Sequence, residues 1–165
     1  MKLSRIRKKL RLPDYDYSSE GAYFVTICTQ SRQCLFSNIT DGELRLNEAG
    51  KMNQIRWQQL PQRFDNILLD EFIIMPNHVH GIIEIAEAGT RPAPTLGAVI
   101  GVFKSITTHD YILNVQHHNW PPFPGKLWQR NYYEHIIRNE AELNRIRQYI
   151  LDNPINWDQD PENIT

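Results

Sequence analysis

Two apolar runs separated by only two residues constrain this chain more than any other feature. NILLDEFIIM spans 66–75 and HVHGIIEIAE spans 78–87, with Pro76-Asn77 between them. Each run has the length and composition of a strand, and Pro-Asn is a turn signal. Two strands joined by so short a turn pair antiparallel. Side chains alternate along a strand, so His78, His80, Ile82 and Glu84 share one face, while Val79, Gly81, Ile83 and Ile85 share the other. A strand that otherwise reads as buried therefore carries two imidazoles side by side. Such a pair can grip a divalent metal or can simply be packed in place, and H-x-H alone does not separate the two. Two protein ligands would leave a metal with open positions for water and substrate oxygens, as in catalytic rather than structural sites. Cys28 and Cys34 are not placed to complete a zinc site, and two cysteines make no disulfide framework.

The other segments supply the partners for this hairpin. AYFVTICTQ, 22–30, reads as a strand, followed by a loop to about residue 46. Asn47 can cap a helix that stops before Pro61. Residues 88–95 form a proline-containing loop. LGAVIGVFKSITTHDYI, 96–112, has helical spacing at Val99, Val102, Phe103 and Ile106. Three prolines make 117–125 irregular, and 126–137 can hold a short fourth strand. The last helix covers 139–153, capped by Asn139, with Glu140 and Glu142 at its positive end and Pro154 after it. The order β-α-β-β-α-β-α predicts an α+β fold: a ferredoxin-like, RRM-like antiparallel sheet (βαββαβ) with both helices on one face. The extra C-terminal helix must lie over the other face or along an edge, where His78 and His80 could meet it.

On that helix Leu143, Ile146 and Ile150 form the apolar stripe, with Leu151 at its margin. Tyr149 lies about a quarter turn from the stripe, and Asn153 follows four residues on, on the same side. This is what a site at a helix–sheet seam would look like. A half-buried boundary tyrosine with a wet hydroxyl has the same pattern. Composition narrows the setting. A chain of 165 residues, 41% hydrophobic and 22% charged, suits one globular domain. A net charge of −1 argues against coating nucleic acid through bulk charge. Basic residues are nonetheless clustered, at Arg5, Arg7, Lys8, Lys9 and Arg11 and again at Lys126, Arg130, Arg138, Arg145 and Arg147. No apolar run approaches a membrane span, and no secretory h-region follows the basic start, so no membrane role and a cytoplasmic location are expected.

The segment FIIMPNHVHGIIEI resembles the metal-binding strand of the HUH single-strand nucleases. Three further segments, LPDYDYSSEGAYFVTICTQSRQCLF, LWQRNYYEHIIRNEAEL and YILDNP, are similar to one branch of that group, the REP-associated tyrosine transposases. The likeness runs from about residue 12 to 157. It implies an N-terminal arm over 1–20, a transposase domain over 21–157 and a tail over 158–165. It also implies that His78 and His80 hold Mg²⁺ or Mn²⁺, that Tyr149 is the nucleophile, and that Asn153 is the third ligand. The substrate implied is single-stranded DNA near hairpin repeats, cut through a 5′-phosphotyrosine and rejoined, in the cytoplasm at the nucleoid. Lys126, Arg130 and Arg138 would bind phosphates. Trp128, Tyr132 and Tyr133 could stack on unpaired bases, although Trp128 suits a core position equally. Some members exchange the tyrosine helix between subunits, so a homodimer is among the arrangements allowed. Two other readings stay open: an RRM-like module that binds single strands without cutting them, and a metal-dependent hydrolase of another substrate.

Overall fold

The computed structural model describes residues 21–86 and 94–164. The basic arm over 1–20 and most of the loop expected at 88–95 lie outside the described residues. A four-stranded antiparallel sheet forms from β1 (Gly21–Cys28), β4 (Ile67–Ile74), β5 (His78–Ile85) and β6 (Tyr133–Ile137), in the order β4-β5-β1-β6. A separate hairpin pairs β2 (Ser37–Thr40) with β3 (Glu43–Leu46). The helices are α1 (Glu48–Gln58), α2 (Leu60–Arg63), α3 (Leu96–His118) and α4 (Glu140–Leu151). The expected sheet and the extra C-terminal helix are both present. None of the described helices is long and apolar enough to cross a membrane.

Alternation sorts the sheet into two faces. Tyr23, Val25 and Ile27 of β1 and Val79, Ile83 and Ile85 of β5 enter the main core with Trp57 of α1 and Val99, Ile100 and Phe103 of α3. Phe24 and Ile82 point the other way and meet Ile150, Leu143 and Ile146 of α4 in a second, smaller cluster. So α4 covers the face that carries the histidines. Two polar clasps hold it there. The Arg147 guanidinium grips both carboxylate oxygens of Asp70 on β4 through Nε and Nη2, at 2.8 and 2.5 Å, and holds that carboxyl below its usual pKa. Asp70 sits in an irregularity of β4 between Leu69 and Phe72. At the other end Glu142 pairs with His135 of β6 and accepts the Arg138 backbone N–H at 2.8 Å. Asn139 caps the helix, accepting from the Glu142 N–H at 2.8 Å.

The structure departs from the sequence reading in four places. The stretch expected to be loop up to residue 46 contains the β2–β3 hairpin. Its turn, Asp41-Gly42, has φ of +53° and +75°, the conformation that favours Asp-Gly between paired strands. Pro61 does more than end α1: it sits in the first turn of α2, where a missing N–H costs nothing. The third helix runs on through His117 and His118 and closes at Asn119, whose left-handed φ of 56° caps it. Of the expected fourth strand, Tyr133–Ile137 forms the continuous ladder, and before it Trp128 makes one isolated antiparallel bridge to Thr29. The segment before it is pinned by the Lys104 ammonium, which donates to the carbonyls of Gln129 and Arg130 at 2.9 and 3.2 Å.

Behind the histidines, Gly81 lies flat under Trp57. A Cβ at Gly81 would come 2.3 Å from Trp57 Cζ2, and Trp57 is fully buried. Gly81→Ala is expected to lower stability by about 1–3 kcal/mol through overpacking, read as a fall in the urea midpoint with little change in slope.

Candidate metal and tyrosine site

Register places the site. Thr26 lies opposite His80 and Cys28 opposite His78. Both imidazoles are buried, and their Nε2 atoms converge at 3.1 Å. Their Nδ1 atoms point away into hydrogen bonds. Asn77 Oδ1 lies 2.7 Å from His78 Nδ1. The orientation of that amide is determined, because its Nδ2 donates to two carbonyls, of Arg32 at 3.2 Å and of Glu162 at 2.7 Å. An amide oxygen only accepts, so His78 Nδ1 carries the proton and His78 Nε2 presents a lone pair. The Thr26 hydroxyl, 2.8 Å from His80 Nδ1, can donate or accept and so suits either tautomer of His80. Burial drives the His78 pKa down to about 3 and pushes that of His80 well below its ordinary value, helped by the neighbouring His78. Both rings are therefore neutral, the form that ligates metal.

Two oxygens approach the same point. Asp160 Oδ2 lies 3.9 Å from His78 Nε2, and the ligand atoms of His78, His80 and Asp160 all fall within 4.8 Å of one another. The Asp160 carboxyl is held in place by the Glu162 N–H at 2.8 Å, and burial raises its pKa. Asn153 is buried. Its Nδ2 donates to the Tyr149 carbonyl at 2.9 Å, while its Oδ1 has no hydrogen-bond partner. That amide sits close enough to favour the protonated form of both histidines. Two imidazole nitrogens, a carboxylate and an orphaned amide oxygen form a mixed nitrogen–oxygen set consistent with a divalent metal. Tyr149 stands over this group from α4. Its ring is 5.4 Å from that of His80 and 6.0 Å from that of Phe24, and it is 37% exposed. Burial, and next the negative charge of Asp160, raise its pKa.

A model of the IS200-like transposases matches residues 21–153. The chain belongs to the IS200-like transposase family. A Haemophilus influenzae protein described only as uncharacterized is 39% identical, over 93% of this chain and 91% of its own length. A second protein of that organism, provisionally named a REP-associated tyrosine transposase, is 25% identical over 85% of this chain and 73% of its own. Among solved structures, a REP-associated tyrosine transposase bound to a REP hairpin shares the fold, with a TM-score of 0.63 at 19% identity, covering 87% of this chain and 72% of that one. A Deinococcus radiodurans protein provisionally named a transposase shares it with a TM-score of 0.50 at 16% identity, over 86% and 95% of the two chains.

In this IS200-like chain the remaining candidates scatter. Trp128 does not offer a face to a base: it is buried against Phe36 and Phe103, and its indole N–H donates to Thr107 Oγ1 at 2.9 Å. Lys126 and Arg130 are exposed beside it, in a groove against α3 that includes Lys104 and His109, away from Tyr149. Tyr132 is half-buried with the Lys104 ammonium 5.6 Å from its ring. Arg138 is exposed at the start of α4. Tyr133, in contrast, sits on the same face as the histidines, opposite Thr26. Sequence reasoning left out Asp160, which falls in the segment assigned to a tail. That segment folds back: Trp157 is buried near His78 with ring centres 6.1 Å apart, and Glu162 pairs with Arg32 at 2.9 Å. It also left out Asn77, for which the adjacency to His78 was the available signal. Removing the Nδ1 acceptor frees the His78 tautomer, so Asn77→Ala should weaken Mn²⁺ binding about 10–100-fold by calorimetric titration. Asn77→Asp, which keeps an acceptor, should lose less.

Proposed function

We propose that this transposase cuts and rejoins single-stranded DNA beside hairpin repeats, with Tyr149 as nucleophile and His78, His80, Asp160 and Asn153 holding Mn²⁺ or Mg²⁺. The observation that carries this reading is the 5.4 Å approach of the Tyr149 ring to His80, whose Nε2 converges with that of His78. The two imidazoles and a phenol meet within one chain, so the reading needs no exchange of α4 between subunits. The hairpin is favoured as substrate because a relative of the same fold was solved bound to a REP hairpin.

The residues divide the work. The bound cation would withdraw charge from a non-bridging phosphate oxygen and orient the phosphorus. Tyr149 is neutral as it stands, since burial and Asp160 raise its pKa, and it must lose its proton as it attacks. The phenolic oxygen bonds to phosphorus, the bond to the 3′ oxygen breaks, and that oxygen leaves as a 3′-OH. The phosphotyrosine ester conserves the phosphodiester's energy, so a 3′-OH can attack it, release the phenol and restore the strand. Asn153 ties the turn after α4 to the backbone of Tyr149, which couples the position of the phenol to that of the ligands. The strand must be unpaired at the cut, since a duplex would shield the phosphate. Such a protein would work in the cytoplasm at the nucleoid, with residues 21–157 and the returning segment through Glu162 acting as one unit.

The binding-module reading needs an open sheet face on which bases stack. Here α4 covers that face and Trp128 is in the core, which weighs against it.

The deciding assay mixes the protein with labelled single-stranded DNA from hairpin repeats flanking its own gene, with and without Mn²⁺, on denaturing gels. A covalent band that needs Mn²⁺ and vanishes in Tyr149→Phe is the expected result. His78→Ala should abolish the band while leaving most hairpin binding on native gels, and Asn153→Ala should weaken metal use only partly. Hairpin binding without any band would favour the binding module. A band that persists in Tyr149→Phe would remove Tyr149 from its role.

A further inference from the structure

Beside Tyr149, on the side away from the histidines, a groove of about 390 Å³ opens between α4 and β6. Phe24 lies at its floor. Tyr133 flanks it from β6 and Tyr149 from α4, with ring centres 6.3 and 6.0 Å from that of Phe24. Ile146 completes the apolar lining, and the exposed Arg145 and Gln148 stand at the rim. Tyr133 is 40% exposed and Tyr149 37%, so two aromatic rings face solvent together beside the groove. The Gln148 amide donates to Asp152 Oδ1 at 2.9 Å, which orients it at the groove mouth.

We propose that this groove takes one unpaired nucleobase of the substrate strand, from a nucleotide joined to the phosphate that Tyr149 attacks. The inference rests on the cleavage reading above. Its argument is continuity. Tyr149 is at once a wall of the groove and the neighbour of His80, so whatever fills the groove touches the reacting phenol. A flat heteroaromatic ring suits an apolar, aromatic-walled slot, and the polar rim meets the hydrogen-bonding edge of a base. An unpaired base swung out of its stack needs such a receptor. The base would then place its own phosphate between Tyr149 and the ligand cluster, and Tyr133 becomes a positioning residue for the cut.

The test uses the full chain, Mn²⁺ and the hairpin-repeat strand whose cut site the adduct has mapped. An abasic unit replaces, in turn, the nucleotide on each side of the scissile phosphate. One of the two replacements should slow adduct formation at least about tenfold, within the range a stacked base contributes. In Tyr133→Ala the intact strand should react slowly and the same abasic unit should add little. Gln148→Trp, at an exposed position, should block the groove and slow the intact strand while Mn²⁺ binding stays unchanged. Tolerance of both abasic units in wild type, or an undiminished abasic penalty in Tyr133→Ala, overturns the groove's role and leaves the cleavage reading standing. No adduct with any strand overturns both.

Discussion

The pairing of β1 with β5 is the constraint on which the rest depends. Eight consecutive partners, Gly21 with Ile85 through Cys28 with His78, set the parity of both strands. A slip of one residue would turn His78 and His80 into the main core and bring Val79 and Ile83 out to α4. Register errors of that kind are costly because each face is already committed. On the core side Trp57 rests on Gly81, where a Cβ would crowd its ring at 2.3 Å. On the site side Thr26 meets His80 Nδ1. The apolar packing behind the sheet and the polar contacts in front of it select the same alignment. The two histidines are therefore aimed by the fold's most buried strands, not by a loop.

Two buried imidazoles would be expensive to desolvate without partners. Here the back of each ring is satisfied, by Asn77 and by Thr26. The front is left with two converging Nε2 atoms, a carboxylate oxygen 3.9 Å from that of His78 and an amide oxygen that accepts no hydrogen bond. Such a cluster is a compromise in the absence of a cation and a well-filled shell with one. The same proximity explains Tyr149. A carboxylate nearby makes phenolate formation harder, and a divalent charge between them would reverse the sign of that effect. A cation held there would therefore ease ionisation of the Tyr149 phenol.

Much of this was legible in the chain itself. The Pro-Asn turn between two apolar runs, the spacing of His78 and His80, and the offset of Tyr149 from the stripe Leu143–Ile146–Ile150 all act locally, at one periodicity each. Asn47, Asn139 and Asp41-Gly42 are likewise short-range signals, although the last was hidden because its flanking strands are only four residues each. What escaped depends on long-range closure. Asp160 meets His78 only because Trp157 is buried and Glu162 is held by Arg32 and Asn77, and no periodicity announces a returning tail. Trp128 illustrates the converse. Its neighbours in sequence are basic and polar, like a nucleic-acid contact, yet Thr107 and two phenylalanines from distant segments make it core.

The way α4 is fastened has a consequence for how the molecule yields to stress. Only Ile150 on that helix is fully buried, and the apolar cluster beneath it is small. Much of its attachment is polar, through the Asp70–Arg147 ion pair, which is open enough for salt to screen, and the His135–Glu142 hydrogen bond. The main sheet, by contrast, is sealed by aromatic packing. Local opening follows the weakest interface, so the backbone amides of α4 would exchange with solvent long before those of β1 and β5. The segment that bears the phenol thus opens at less cost than the strands that bear the histidines. A strand tethered to it would travel with the helix while the ligand cluster stayed in place.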